Sequence, residues 1–212
     1  MCIRDSISGG TVGVRFEANS GSVVNISGGT VGNSFTAEAR SEVNISGGTV
    51  GDRFTAEFRS VVNISGGALG NFSGALSGSV VNISGGTVGD AFDALSGSVV
   101  NISGGTVGDA FFAFSGSEVN LLGSEFFLDG ELLDTLIFDE PFTISDRDVT
   151  LSGTLEDGSL FSFGLNSSFV GFEDFFAEDA TLTVTAVPEP ASAAVVALGG
   201  IALLTRRRRD AA

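Results

Sequence analysis

The chain has 212 residues, 42% of them hydrophobic, enough for one folded array and too much for a disordered polymer despite 31 Gly. It has no His, Trp or Tyr and a single Cys, which excludes an internal disulfide and leaves no ligand set for a Cys/His zinc site. Net charge is −16 and all positive charge is Arg, so the body should repel nucleic acid and anionic membranes and carries no basic groove for either.

The first segment, residues 1–6, has no charged-then-apolar-then-small order and does not read as a signal peptide. It reads as a non-native start, with the true N-terminus and further repeat units expected upstream. From residue 7 the chain repeats every nineteen residues without insertion or deletion, with Ile7, Ile26, Ile45, Ile64, Ile83 and Ile102 as markers and Leu121 at the next step. A fixed short period is the signature of a repeat architecture.

The columns of the repeat suggest how each unit folds. Val24, Val43, Val62, Val81, Val100 and Val119 stand two residues before the marker, so Val and marker share one strand face. Between them lie Asn25, Asn44, Asn63, Asn82, Asn101 and Asn120. Gly-Gly follows and allows a turn at positive φ. Thr-Val reads as a second short strand, and Phe with Ala two residues on as a third. Ser-Gly-Ser turns the chain back to the start.

Three strands and three corners in nineteen residues describe one coil of a parallel β-solenoid over residues 7–124. Residues nineteen apart then become direct neighbours at about 4.8 Å. Val and Ile form internal ladders, Asn an amide ladder, and the constant Ala marks a tight inner corner. A right-handed coil is favoured by the general preference of parallel crossovers. The alternative is a hairpin sandwich, because Gly-Gly is also a hairpin signal, although such a sandwich would not require one fixed period.

Residues 125–187 are irregular and richer in Phe, and read as a small all-β cap. Residues 151–163 form two strand-like runs around Asp157-Gly158, a hairpin signal. Residues 180–187 read as a final strand with Leu182 and Val184 on one face. Arg147, between Asp146 and Asp148, reads as a solvated charged loop.

From residue 188 the character changes to Pro188-Glu189-Pro190, an apolar run over 191–205, and then Arg206, Arg207, Arg208 and Arg209. As a helix the apolar run is about 22 Å long, short for a membrane span, though flanking Arg can snorkel. The Arg cluster places its C-terminal end in the cytoplasm and the solenoid outside. This order over residues 188–212 resembles the PEP-CTERM sorting signal of bacteria. The resemblance implies export to the cell surface, envelope or extracellular matrix, a transmembrane helix before processing, and cleavage near Pro188–Glu189–Pro190 by an exosortase, a membrane enzyme with a Cys nucleophile. It implies a setting among exopolysaccharide producers, so exopolysaccharide is a further expected partner.

Little in the repeats points to catalysis. Without His, Lys or Tyr the common acid–base and nucleophilic partners are missing, and only paired carboxylates remain. Asp52, Asp90 and Asp109 share one column with Asn33 and Asn71 and read as turn residues, with weak surface calcium binding as the alternative. No cofactor, metal site or catalytic residue is expected. The Asn-Ile-Ser triplets are formal glycosylation sequons, but their recurrence at the coil period favours the ladder. Two function classes remain: a structural or adhesive surface protein, and a carbohydrate-binding or carbohydrate-active β-helix. The absence of Trp and Tyr platforms favours the first.

Overall fold

A computed structural model describes residues 4–188, and among these it contains strands and no helix. The chain winds as a parallel β-solenoid of about 6 turns. Each full turn supplies one long and one short strand, as in Val23–Val31 with Thr36–Ala37 and Glu42–Val50 with Thr55–Ala56. The long strands follow one another in one sheet and the short strands in a second. Pairing between successive turns is parallel and in register, with Val24 on Val43, Asn25 on Asn44 and Ile26 on Ile45. Hairpins would pair neighbours antiparallel, so the sandwich alternative fails here.

One expectation changes. The Val-Asn-Ile and Thr-Val segments are not two strands but one bent strand of nine residues. The second Gly of each pair carries the bend, at φ 79° in Gly29 and 80° in Gly48, and the ladder shifts register there without ending. These glycines also let the coils approach. A Cβ on Gly47 would lie 2.6 Å from the Ser27 carbonyl oxygen, and one on Gly48 2.7 Å from that of Gly29.

The second corner places no glycine at its left-handed position. Arg15, Ser34, Arg53, Phe72, Ala91 and Ala110 all sit there at positive φ, between 57° and 63°. This conformation costs an ordinary residue about 1–2 kcal/mol. It is held by hydrogen bonds to the following coil: Ser34 N–H donates to the Asp52 carbonyl at 2.8 Å and Arg53 N–H to that of Asn71 at 2.8 Å. The third corner is a four-residue turn closed by the buried Ser, whose N–H donates back three residues, as from Ser60 to Glu57 at 2.8 Å.

The core lies inside the coils. The Val24, Ile26 and Val31 columns, the Phe35 column and the Ala37 column are almost wholly buried. The phenylalanines stack along the axis, Phe16 to Phe35 and Phe35 to Phe54 each at 5.1 Å between ring centres, and Phe92 to Phe111 at 5.6 Å. The coil starting at Ile64 interrupts this stack. Buried Ser73 takes the Phe position and donates to the Gly70 carbonyl at 2.8 Å, while Phe72 is left on the surface.

At the C-terminal end the strand Glu118–Leu128 begins as a seventh coil, pairing Val119 with Val100 and Leu121 with Ile102. It then leaves the coil path, and Gly123 to Leu128 pair antiparallel with Thr150–Leu155. That strand forms the expected hairpin with Leu160–Gly164 across Asp157-Gly158. The chain then returns to the solenoid. Phe175–Phe176 pairs with Phe112 and Ala113, and Thr181–Ala186 lies parallel on Glu118 to Gly123. Leu182 falls on Val119 and Val184 on Leu121, both fully buried. The last strand is therefore a partial further rung, and Pro141–Ile144 closes its outer edge antiparallel.

Arg147 is not a solvated loop residue. Its guanidinium is partly buried and donates to the carbonyls of Ile144, Phe176, Ala177 and Ala180, the last at 2.8 Å. Burial lowers its pKa, against the charges of Glu178 and Asp146. Five guanidinium N–H groups in a rigid fork suit a cluster of backbone carbonyls.

Candidate functional site

The six asparagines form a continuous ladder on the outside of the long-strand sheet. Asn44 Nδ2 donates to Asn25 Oδ1 at 3.1 Å, Asn63 to Asn44 at 2.8 Å, Asn82 to Asn63 at 2.8 Å, Asn101 to Asn82 at 2.7 Å and Asn120 to Asn101 at 2.9 Å. Glu42 and Glu118 accept the second amide hydrogen of Asn44 and Asn120. The ladder ends where Thr183 takes the Asn place. Replacing Asn63 with Ala removes one donor and one acceptor bond, each contributing about 0.5–1.5 kcal/mol. A loss of about 1–3 kcal/mol is expected from urea unfolding, and an unchanged midpoint would show that water replaces the ladder at no cost.

The Asp and Asn residues of the second corner form a different ladder. Each side chain accepts the N–H of its counterpart one coil later: Asp52 N–H on Asn33 Oδ1 at 3.2 Å, Asn71 on Asp52 at 3.0 Å, Asp90 on Asn71 at 2.9 Å and Asp109 on Asp90 at 3.1 Å. The preceding glycines make room for this. A Cβ on Gly70 would stand 2.6 Å from Asp52 Oδ1. Short acceptor side chains that cap nearby backbone donors are the usual chemistry of Asp and Asn at turns. Among the described residues no group of three or more His, Cys, Asp or Glu is arranged to hold a metal ion.

Two carboxylates of the closing region stand in for the absent next coil. Asp157 Oδ2 accepts the Gly105 N–H at 2.8 Å and its Oδ1 the Ser159 N–H at 2.9 Å. Partial burial works to raise its pKa, but the bonds from Ser159 and Gly105 outweigh this and lower it. Asp174 bridges the two parts of the fold, accepting Phe111 N–H at 2.8 Å on Oδ1 and Gly164 N–H at 2.9 Å on Oδ2. Burial raises its pKa and the charge of Asp109 adds to this, against the two backbone donors. Sequence reasoning missed both roles. Asp157 was legible as a turn residue, and nothing local distinguishes Asp174 from the other acidic residues around it.

Between this bridge and the last coil corner lies a cleft of about 350 Å³ lined by Asp109, Asn166, Phe172, Glu173 and Asp174 with Ala110 and Gly164. Asn166 is fixed by donating to the Asp174 carbonyl at 2.9 Å. A second cleft of about 370 Å³ lies under the hairpin, lined mainly by Ile102, Val107, Leu155, Leu160, Phe161 and Phe163.

Of the sorting-signal residues, Pro188 is the last described, and Glu189, Pro190, the apolar run and Arg206, Arg207, Arg208 and Arg209 lie outside the described residues. Among the described residues no helix is long and apolar enough to cross a membrane. Comparison with models of known protein families, with curated proteins and with solved structures gave no match.

Proposed function

We propose that the chain is an exported, non-enzymatic structural or adhesive protein of the cell surface or extracellular matrix, sorted through its C-terminal segment by an exosortase. The observation that carries this reading is the order of Pro188-Glu189-Pro190, the apolar residues 191–205 and the four consecutive Arg, placed directly after the strand that closes the solenoid. In this reading residues 191–205 form a transmembrane helix until processing, and the mature protein keeps the coils.

The coils support the same reading. Five successive turns repeat the same ladders, with the same bulge at the same place in each, and Asp52 and Asp90 are engaged as turn caps. A site usually disturbs the regularity of its scaffold, and a spacer does not. We take the coil as right-handed, on the preference of parallel crossovers.

The reading is tested in a host that carries an exosortase. The mature protein is expected to lack Arg206 and everything after it by intact mass, and substitution of Pro188, Glu189 and Pro190 to leave the uncleaved form in the membrane fraction. Released protein that still contains Arg206 overturns it.

A further inference from the structure

At the end of the closing rung the chain is held from two directions. Val187 N–H donates to the Gly123 carbonyl at 2.8 Å, and the Ala186 carbonyl accepts the Asp139 N–H at 2.9 Å. Asp139 belongs to the turn that leads into Pro141–Ile144, and Glu140 N–H donates to the Ile137 carbonyl across it at 3.2 Å. Leu133 and Leu136 anchor this turn on the core. Its tip nevertheless presents apolar side chains to the outside: Ile137 is 62% exposed and Phe138 60%, and Phe142, paired with Val184, is 43% exposed. On the coils, large apolar side chains are exposed singly, as at Val14 and Phe72, which needs no partner. Here three are fixed beside the point where the chain leaves the closing rung.

The distance along the chain decides what lies next to them. Pro188 is exposed, and the apolar run begins at Ala191. Four residue steps from Val187 reach at most about 14 Å. As a membrane helix, residues 191–205 cover about 22 Å of a hydrocarbon core of about 30 Å. A span that short leaves no slack. With Arg206–Arg209 held at the far headgroups, the bilayer thins and the near end of the span is drawn in, so that Pro188 reaches the hydrocarbon boundary. The turn bonded to Ala186 is carried there with it. A net charge of −16 gives no attraction to anionic headgroups, so the contact is apolar and the fitting surface is neutral lipid.

We propose that this turn is a membrane contact, in which Ile137, Phe138 and Phe142 enter the outer boundary of a neutral lipid bilayer while residues 191–205 span it. The contact seats the closing end of the solenoid on the membrane and directs the coils away from it. The inference rests on the reading of residues 191–205 as a membrane segment.

The chain has no Trp, so a single introduced Trp reports one place. The full chain carrying F138W or F142W is reconstituted in phosphatidylcholine vesicles with plain or brominated acyl chains, with V14W and F58W on the coils as controls. Flotation reports the membrane segment, and quenching reports the contact. Brominated lipid is expected to quench F138W and F142W at least about twofold, as burial about 5–10 Å into the interface requires, and to leave V14W and F58W unchanged. Replacing Ile137 and Phe138 with Ser is expected to lower F142W quenching several-fold without changing flotation, since both side chains are exposed and their loss leaves the fold intact. Flotation with F138W and F142W quenched no more than V14W overturns the proposal and leaves the membrane segment standing. Unchanged F142W quenching in the Ser variant also overturns it, because the tail alone then holds this end at the lipid. Blue-shifted F138W emission without quenching assigns the surface to a protein neighbour and overturns it too. A chain that does not float overturns the membrane segment and this proposal with it.

Discussion

Gly67→Ala is expected to destabilise the solenoid by about 2–5 kcal/mol, by adding about 1–2 kcal/mol for a left-handed residue to about 1–3 kcal/mol of overpacking. Gly67 has φ 79°, and a Cβ there would lie 2.7 Å from the Gly48 carbonyl oxygen and 2.8 Å from the Gly47 carbonyl carbon. Both contacts are backbone of the preceding coil, so no side chain can swing aside. Gly10→Ala supplies the control. Gly10 has φ 73° but nothing within 4 Å of a Cβ, so only the conformational part of the cost is expected there. Urea unfolding of the two variants separates the terms. Equal losses would mean that coil spacing adapts and that the close approach is not what requires glycine.

Phe35→Ala is expected to cost about 3–5 kcal/mol, the range for removing a fully buried aromatic side chain. Phe35 is wholly buried and touches Phe16 and Phe54 at 5.1 Å between ring centres on either side. Its loss leaves a gap in the stack that the stiff coils above and below cannot close. The protein already contains one such interruption at Ser73, flanked by Leu69 where other coils have Val. That coil shows the accommodation that a simple truncation lacks: a larger aliphatic neighbour and a bonded hydroxyl. A loss below about 1 kcal/mol in Phe35→Ala would show that the stack is loosely packed.

The contrast between these coils also shows what the sequence could and could not reveal. The Val, Asn and Ile columns were legible because a nineteen-residue period leaves each residue one structural neighbour, its own copy. The alternation Val-Asn-Ile then sets two residues inward and one outward, as found for Val43, Asn44 and Ile45. The bent long strand was not legible, because a glycine pair at positive φ can equally end a strand or kink it. The second corner was hidden for another reason. Arg15, Phe72 and Ala91 give no local sign of a left-handed conformation, which is imposed by hydrogen bonds from the neighbouring coil.

The return of the chain to the solenoid was half legible. Leu182 and Val184 announced a strand with one buried face, but its partner was set by a detour through residues 129–174 that obeys no period. Arg147 was misread because a charged residue between two aspartates resembles a surface loop, and only the assembled fold brings the carbonyls of Ile144, Phe176, Ala177 and Ala180 around it. The cleft was illegible altogether. It exists because Asp109 is the last of its column, a property of position in the stack and not of its neighbours in sequence.

The closing rung built from Phe175–Phe176 and Thr181–Ala186 meets the solenoid through the coil beneath it. Every full coil offers nearly the same surface to its successor. Gain or loss of a whole nineteen-residue unit by recombination between repeats would therefore leave both the lid and its seat intact, while changing reach by about 4.8 Å per unit. An insertion within a strand would put that coil's columns out of step, whereas one at a corner can bulge out as a loop. A lineage carrying this architecture can thus tune length in discrete steps while holding its terminus constant, much as a telescoping mast keeps one fitting at its top.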